Sequence, residues 1–225
     1  MLISLTAFTY GCSASTPQQT EEEALATLRQ MMKSGLPSEF AVQQIESRFP
    51  NTKTAALCRL LRAQIRLKSS DAAGAADILN SPIFVQKTNL ADYAYWLRGR
   101  ALIEAGRPGE ALPVFEKLAA DFPNSLRFRE SKLLWATAAI NSGQAAKVPD
   151  FLADLASRND ADALVAIGRS FESRGDQTQA TAFFRRAYFY GAGTAASREA
   201  EAKLNPGGSM VAATAMTNSN AAASV

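Results

Sequence analysis

The sequence predicts an all-α solenoid of about five helical hairpins followed by a capping helix. Apolar residues recur with the period of about 3.6 residues that a helix requires, through most of the chain. Turn residues interrupt these stretches at separations of 35, 36, 37 and 32 residues. Prolines lie near the starts and just past the ends of the predicted helices, where a missing N–H costs least. The five turn residues are Gly35, Ser70, Gly106, Gly143 and Gly175.

The hairpin of residues 92–124 has the clearest pattern. Its first helix is predicted over 92–105, and its second runs from Pro108 until Pro123 stops it. Gly99 falls in the middle of the first helix, where glycine costs roughly 1 kcal/mol relative to alanine. We therefore expect the second helix to cross so closely at Gly99 that a Cβ atom has no room. The apolar stripes of the two helices contain Tyr95, Gly99, Leu102, Ala111, Phe115 and Leu118.

This hairpin resembles a tetratricopeptide repeat, a family whose repeat is roughly 34 residues long. It departs from the family's pattern at Tyr95, where tryptophan is usual, and at Arg98, where leucine is usual. The resemblance implies a right-handed superhelix in which the first helices of successive hairpins line a concave groove. The small and large residues that fall at the family's positions are Gly99, Leu102, Gly106, Ala111, Phe115, Leu118 and Pro123.

The other hairpins follow the same plan, and together they make a superhelical domain of residues 21–204. In the first of them, Phe40, Ala41 and Ile45 are expected on the apolar face of the second helix. Residues 81–90 are expected to be a longer connection, and a final helix should cover the last repeat. The predicted helices are 21–33 and 37–49, 54–67 and 72–79, 126–141 and 145–156, 162–174 and 178–190, and 195–204 with Thr194 as N-cap.

The two ends of the chain are predicted to lie outside this domain. Residues 1–20 form a short apolar run and a polar tether, and the run resembles a bacterial lipoprotein signal in which Cys12 is the lipidated residue. A cleaved ordinary signal and an apolar start without function are the alternatives. Residues 205–225 are predicted to be a flexible low-complexity tail.

The resemblance also implies which side chains face the groove. Trp96 and Arg100 lie one helical turn apart, and aromatic and arginine side chains dominate many protein–protein interfaces. The alternative is that Trp96 packs against the neighbouring repeat. The predicted partner-binding residues are Tyr93, Trp96, Arg100, Glu104, Thr137 and Arg169.

A second candidate surface is a basic face on the first helix of the second hairpin. Arg59, Arg62 and Arg66 share one side of that helix because they recur at three- and four-residue spacing. One interpretation is a solvated face whose aliphatic stems cover apolar surface. The other is contact with an anionic partner.

The composition argues against catalysis and against nucleic acid. The chain has no histidine, which excludes Ser-His-Asp and Cys-His catalysis and every zinc site with a histidine ligand. Cys12 and Cys58 match no metal-binding spacing, and no glycine-rich phosphate loop occurs. The net charge of +3 is too balanced to indicate nucleic-acid binding. We therefore predict no enzymatic activity, no metal, no cofactor and no nucleic-acid partner.

A narrower resemblance covers about residues 92–204. This stretch is similar to the superhelical N-terminal region of bacterial soluble lytic transglycosylases and to periplasmic repeat proteins of outer-membrane assembly and Tol–Pal systems. It implies a non-catalytic scaffold in the bacterial envelope, periplasmic or anchored at the outer membrane, with a protein or peptide in its groove. Peptidoglycan is a further candidate ligand, and the membrane would be reached only through a lipid on Cys12. The alternatives are a transglycosylase arm without its catalytic domain and a cytosolic adaptor.

Overall fold

The structure is a computed structural model that describes residues 19–205. The predictions for Cys12, for nearly all of the N-terminal segment and for residues 206–225 therefore fall outside the described residues. Residues 19–205 form thirteen α-helices and one short 3-10 helix, and this part of the chain contains no strand. The predicted all-α solenoid is confirmed.

Five helical hairpins follow one another along the chain. We call α1, α3, α6, α8 and α11 the first helices, because each opens a hairpin. In chain order the helices are α1 (Glu21–Lys33) and α2 (Glu39–Arg48), α3 (Lys53–Lys68) and α4 (Ala72–Leu79), the connecting α5 (Ile83–Lys87), α6 (Ala91–Glu104) and α7 (Pro108–Asp121), α8 (Phe128–Asn141) with α9 (Val148–Phe151) and α10 (Ala153–Ser157), α11 (Ala161–Ser173) and α12 (Gln177–Tyr190), and the final α13 (Ala195–Leu204).

Two segments differ from the predicted helices for identifiable reasons. The expected connection 81–90 contains α5, because Ile83 and Phe84 are buried and anchor a helical turn against the core. The expected helix 145–156 is divided into a 3-10 turn, α9 and α10. Pro149 has no N–H to bond the Ala145 carbonyl, so that carbonyl accepts a 3-10 hydrogen bond from Val148 instead.

The apolar face of α2 also differs from the expected one. Phe40 is 71% exposed, whereas Val42 and Ile45 are buried. The helix begins only after Ser38, whose hydroxyl accepts the Ala41 N–H at 3.3 Å as an N-cap. In the helix that begins at this cap, Val42 and Ile45 face the core and Phe40 faces solvent.

The five predicted turn residues all adopt positive φ angles, as a tight helix–helix link often requires. Four of them are glycines. The fifth, Ser70, has a φ of 63° and carries a Cβ that crowds the backbone in this conformation.

We expect Ser70→Gly to stabilise the protein by up to about 1 kcal/mol, because glycine adopts this conformation without the steric cost. Ser70 is exposed, so the change removes no buried contact. The midpoint of urea unfolding measures the effect. Ser142→Gly is the matched control, because Ser142 ends α8 with a φ of −100° and its replacement should destabilise.

A glycine of one helix receives a phenylalanine of the next in two of the hairpins. A Cβ built on Gly99 would lie 2.3 Å from Cζ of Phe115, and one built on Gly168 would lie 2.6 Å from Cε1 of Phe184. Both phenylalanines are buried. The expectation of a close helix crossing at Gly99 is therefore confirmed.

Polar contacts join the beginnings of successive first helices. The carboxylate of Glu21 accepts from the Thr54 hydroxyl at 2.8 Å, and the guanidinium of Arg129 bonds Asp162. Similarly, the Ser125 hydroxyl, in the link before α8, donates to the carboxylate of Asp92 at the start of α6. These contacts fix one end of the first, third and fourth hairpins against the hairpin that follows.

Candidate partner-binding surface

The predicted groove residues lie on three first helices, and we call this set the first-helix surface: Tyr93, Trp96, Arg100, Glu104, Thr137 and Arg169. Glu104, Thr137 and Arg169 are exposed, and Arg100 and Tyr93 are half-buried. Arg100 donates to Glu104 at 3.1 Å, one turn further along α6. The structure thus brings together the four residues from α6 through the contacts of Trp96 and Arg100. Thr137 lies on α8 and Arg169 on α11.

Trp96 is buried, with 6% of its surface exposed. Its ring lies 5.4 Å from that of Tyr93, and the guanidinium carbons of Arg100 and Arg127 lie 4.9 and 4.3 Å from its centroid. Because arginine is attracted to an aromatic face, the two cations cover the ring. The alternative interpretation, in which Trp96 packs within the protein, agrees with this burial.

Arg127 was not among the predicted residues. It precedes α8, outside the frame of the repeat, so a repeat pattern gives no reason to select it. Its guanidinium also lies 5.8 Å from the Tyr93 ring centroid and donates to Glu130 at 3.2 Å. The only signal in the sequence is an arginine just after the Phe-Pro-Asn-Ser repeat ending.

The Phe-Pro-Asn-Ser ending itself positions Arg127. Its last residue, Ser125, donates to the Asp92 carboxylate at 2.5 Å, and the Ser125 hydroxyl oxygen accepts the Arg127 N–H at 3.0 Å. The link between α7 and α8 is therefore held on the start of α6. This arrangement places the Arg127 side chain over Trp96.

Thr137 and Arg169, the predicted residues outside α6, each form one polar contact. The Thr137 hydroxyl donates to the Leu133 carbonyl of its own helix at 3.3 Å, which leaves its methyl group on the surface. Arg169 forms an ion pair with Glu199 of α13. The final helix therefore contacts the first-helix surface at Arg169, as a capping helix should.

The three arginines of the predicted basic face do not form a free cationic surface. Arg59 and Arg62 donate to Glu46 at 2.8 and 2.7 Å, and Arg62 and Arg66 donate to Glu39 at 3.1 and 2.8 Å. The carboxylates come from α2, so these arginines join the first hairpin to the second. The three side chains are half-buried, and their contact with an outside anion stays a prediction.

Because of these ion pairs, we expect the free energy of unfolding to decrease as the pH falls into the acid range. Burial acts to raise the pKa of Glu39, but the hydrogen bonds and charges of Arg66 and Arg62 outweigh it, and the net pKa lies below the usual 4.5. A lowered pKa contributes stability above the unfolded-state value, and this contribution is lost as pH falls through the folded-state value.

We therefore expect Glu39→Gln to lower the urea midpoint at pH 7, by an amount that shrinks as the pH falls below 4.5. Glu22→Gln is the control, because Glu22 is exposed and forms no ion pair within residues 19–205. A Glu39→Gln variant whose deficit does not shrink as the pH falls below 4.5 would contradict the pairing.

Two further observations concern other kinds of site. Cys58 is fully buried, and burial raises the pKa of its thiol to about 12. Within the described part of the chain, no three His, Cys, Asp or Glu residues are grouped so that they could hold a metal ion. No helix of that part is both long enough and apolar enough to cross a membrane.

Comparison with known proteins agrees with the repeat architecture. Residues 93–125 match the model of the tetratricopeptide repeat family. No curated protein sequence matches the chain. The crystal structure of YrrB, described as a TPR protein with an unusual peptide-binding site, superposes with a TM-score of 0.60 over 80% of this chain and 89% of that one, at 13% identity. This likeness concerns the fold alone. Residues 93–125 therefore match one tetratricopeptide repeat, and the described residues share the fold of a TPR protein.

Proposed function

We propose that the chain is a non-catalytic scaffold of the bacterial cell envelope that binds a protein or peptide partner on its first-helix surface. The observation that carries the proposal is the cluster around Trp96, where Arg100 and Arg127 cover a buried ring while their charged ends reach solvent. A rigid aromatic centre with arginines at its edge is typical of interface hot spots.

The cations of this cluster are paired only weakly. Arg100 pairs with Glu104 and Arg127 with Glu130, and all four side chains are between 39% and 46% exposed. Exposed ion pairs contribute on the order of 0–1 kcal/mol. An incoming carboxylate can therefore replace Glu104 or Glu130 at little cost. The shared fold with YrrB, a protein described as having a peptide-binding site, also favours a peptide ligand.

The envelope location rests on the sequence around Cys12 and on the resemblance of residues 92–204 to periplasmic repeat proteins. Fractionation of the native cells, followed by the intact mass of the detergent-extracted protein, tests it. A lipid adduct on Cys12 in the membrane fraction is the expected result. An unmodified Met1 in the cytosol would favour the adaptor instead.

The second candidate function is the non-catalytic arm of a lytic transglycosylase, in which the same surface positions a peptidoglycan strand or an assembly partner. The resemblance over residues 92–204 supports it. The same mass measurement separates the two candidates, because an arm belongs to a native protein much heavier than the 24.1 kDa of this chain.

Photo-crosslinking in the native cells tests partner binding. A photoreactive residue replaces Thr137 in one variant and Glu104 in another, since both are exposed and neither is buried in the core. Arg185, exposed on α12, is the control position. We expect one specific crosslinked protein from Thr137 and Glu104 and none from Arg185. Equal crosslinking from all three positions, or none from any, would contradict the proposal.

A further inference from the structure

An apolar groove opens between α1, α3 and the start of α6, and its cavity has a volume of about 360 Å³. Its floor is formed by leucines from α1 and α3. Two cations, Arg29 and Lys53, stand among the lining residues. The leucines that line it are Leu25, Leu28, Leu57, Leu60 and Leu61.

The groove lies where two hydrophobic cores meet. Leu28 and Leu61 belong to a small core formed by the first hairpin and α3, whereas Leu60 belongs to the main core of the later hairpins. Apolar surface at this junction is incompletely covered, and Met32 at its edge is 51% exposed. Burying such surface under a ligand stabilises the complex by roughly 25 cal/mol for each Å².

The surroundings of the groove are cationic. Arg29 and Lys53 are exposed and form no ion pair with any described residue. An adjoining cavity shares Lys53 and Leu90 with the groove and adds Lys87, and neither cavity has an acidic residue in its lining. By contrast, a cavity beside α8 includes Asp160. The groove and its extension therefore favour negative charge beside apolar side chains.

We propose that this groove binds an extended peptide segment of a partner in which aliphatic side chains alternate with acidic ones. Side chains of an extended strand point alternately to opposite faces, so aliphatic groups enter the groove while acidic groups stay at its edge. The long, flexible side chains of Arg29 and Lys53, and of Lys87 in the adjoining cavity, can then pair with them. The inference rests on the proposed partner binding and specifies the chemistry of one part of the partner.

The chain's own N-terminal segment is a poorer occupant. Residues 1–18 contain several apolar residues but no aspartate or glutamate. That segment could fill the apolar floor, but it offers no side-chain carboxylate to the cations. A synthetic peptide of residues 1–18 is therefore included as a competitor in the test.

Fluorescence anisotropy with the full chain tests the inference. The probes are three short labelled peptides in which leucine alternates with glutamate, glutamine or lysine. We expect the glutamate peptide to bind at least about tenfold more tightly than the glutamine peptide, and the lysine peptide to bind least. Equal binding of the glutamate and lysine peptides, no binding of the glutamate peptide, or tighter binding of the 1–18 peptide would overturn the inference.

Charge reversal shows whether the groove is responsible. The variant Arg29→Glu with Lys53→Glu should lower affinity for the glutamate peptide about tenfold or more and raise affinity for the lysine peptide. Arg185→Glu is the control, because Arg185 is exposed on α12 outside the groove. Unchanged affinity in the double variant would overturn the inference. If crosslinking from Thr137 persists in that case, only the groove assignment fails and the proposed function stands.

Discussion

Replacing Gly99 with leucine is expected to destabilise the protein by about 3 kcal/mol or more, because the new side chain has no space. Even its Cβ would lie 2.3 Å from the ring of Phe115, and that ring is completely buried. The ring cannot move outward without opening the crossing of α6 and α7. Urea unfolding followed by circular dichroism measures the loss. An unchanged midpoint would contradict the crossing.

The other hairpins suggest a compensating pair. At the sequence separation that joins Gly99 to Phe115, the second hairpin has Ala63 and Leu79, and both belong to the main core. The fourth hairpin has Ala136 and Leu152 at that separation, and both are buried. Four of the five hairpins thus carry either glycine and phenylalanine or alanine and leucine at this separation.

We expect Gly99→Ala and Phe115→Leu each to destabilise alone, the first by overpacking and the second by leaving a cavity. Together they should recover at least about 1 kcal/mol of the summed losses, since residues in contact are not additive. Phe184→Leu in place of Phe115→Leu is the matched control, because Phe184 packs on Gly168 in another hairpin. Additive losses for Gly99→Ala with Phe115→Leu would show that the two residues do not fit each other.

Trp96→Ala is expected to cost about 3–5 kcal/mol, which is the range for truncating a buried aromatic side chain. The ring is 6% exposed and lies against Tyr93 and beneath two arginines. Its removal leaves a cavity and also removes the surface on which Arg127 and Arg100 rest. Partner binding should therefore weaken together with stability.

Arg100→Ala separates the two effects. Arg100 is half-buried, pairs with the exposed Glu104 and covers part of the Trp96 ring, so its loss should cost about 1–2 kcal/mol of stability, which is less than the loss of the ring itself. It should nevertheless reduce crosslinking from Thr137 if the first-helix surface binds the partner. Thermal melting and crosslinking are measured on the same variants. A Trp96→Ala variant with an unchanged melting temperature would place the ring outside the core.

The helices could be predicted from the sequence because their signals are local. The bounds of α1, α4 and α13 agree with the predicted ones, where caps such as Thr20 and Thr194 stand next to apolar stripes. The division around Pro149 was missed, although proline disrupts helix interiors, because the residues after it continue the apolar pattern. α5 was missed since its two apolar anchors make too short a pattern to distinguish from a loop.

The surroundings of the candidate site were less predictable, because they depend on residues far apart in the chain. The spacing along α3 does not reveal the ion pairs of Arg59, Arg62 and Arg66, because the carboxylates that they bind lie in α2. Likewise, the burial of Trp96 depends on Arg127, which reaches it from the link before α8. Spacing along one helix identifies a shared face but does not tell what packs against it.

Hydrogen–deuterium exchange of the full chain, alone and with the partner captured by crosslinking, shows whether the partner binds on the first helices. We expect added protection of backbone amides to concentrate in the first helices α1, α3, α6, α8 and α11, at residues that face the first-helix surface and the apolar groove. Added protection concentrated in α4, α7 and α12 would place the partner on the second helices of the hairpins and would contradict binding on the first helices.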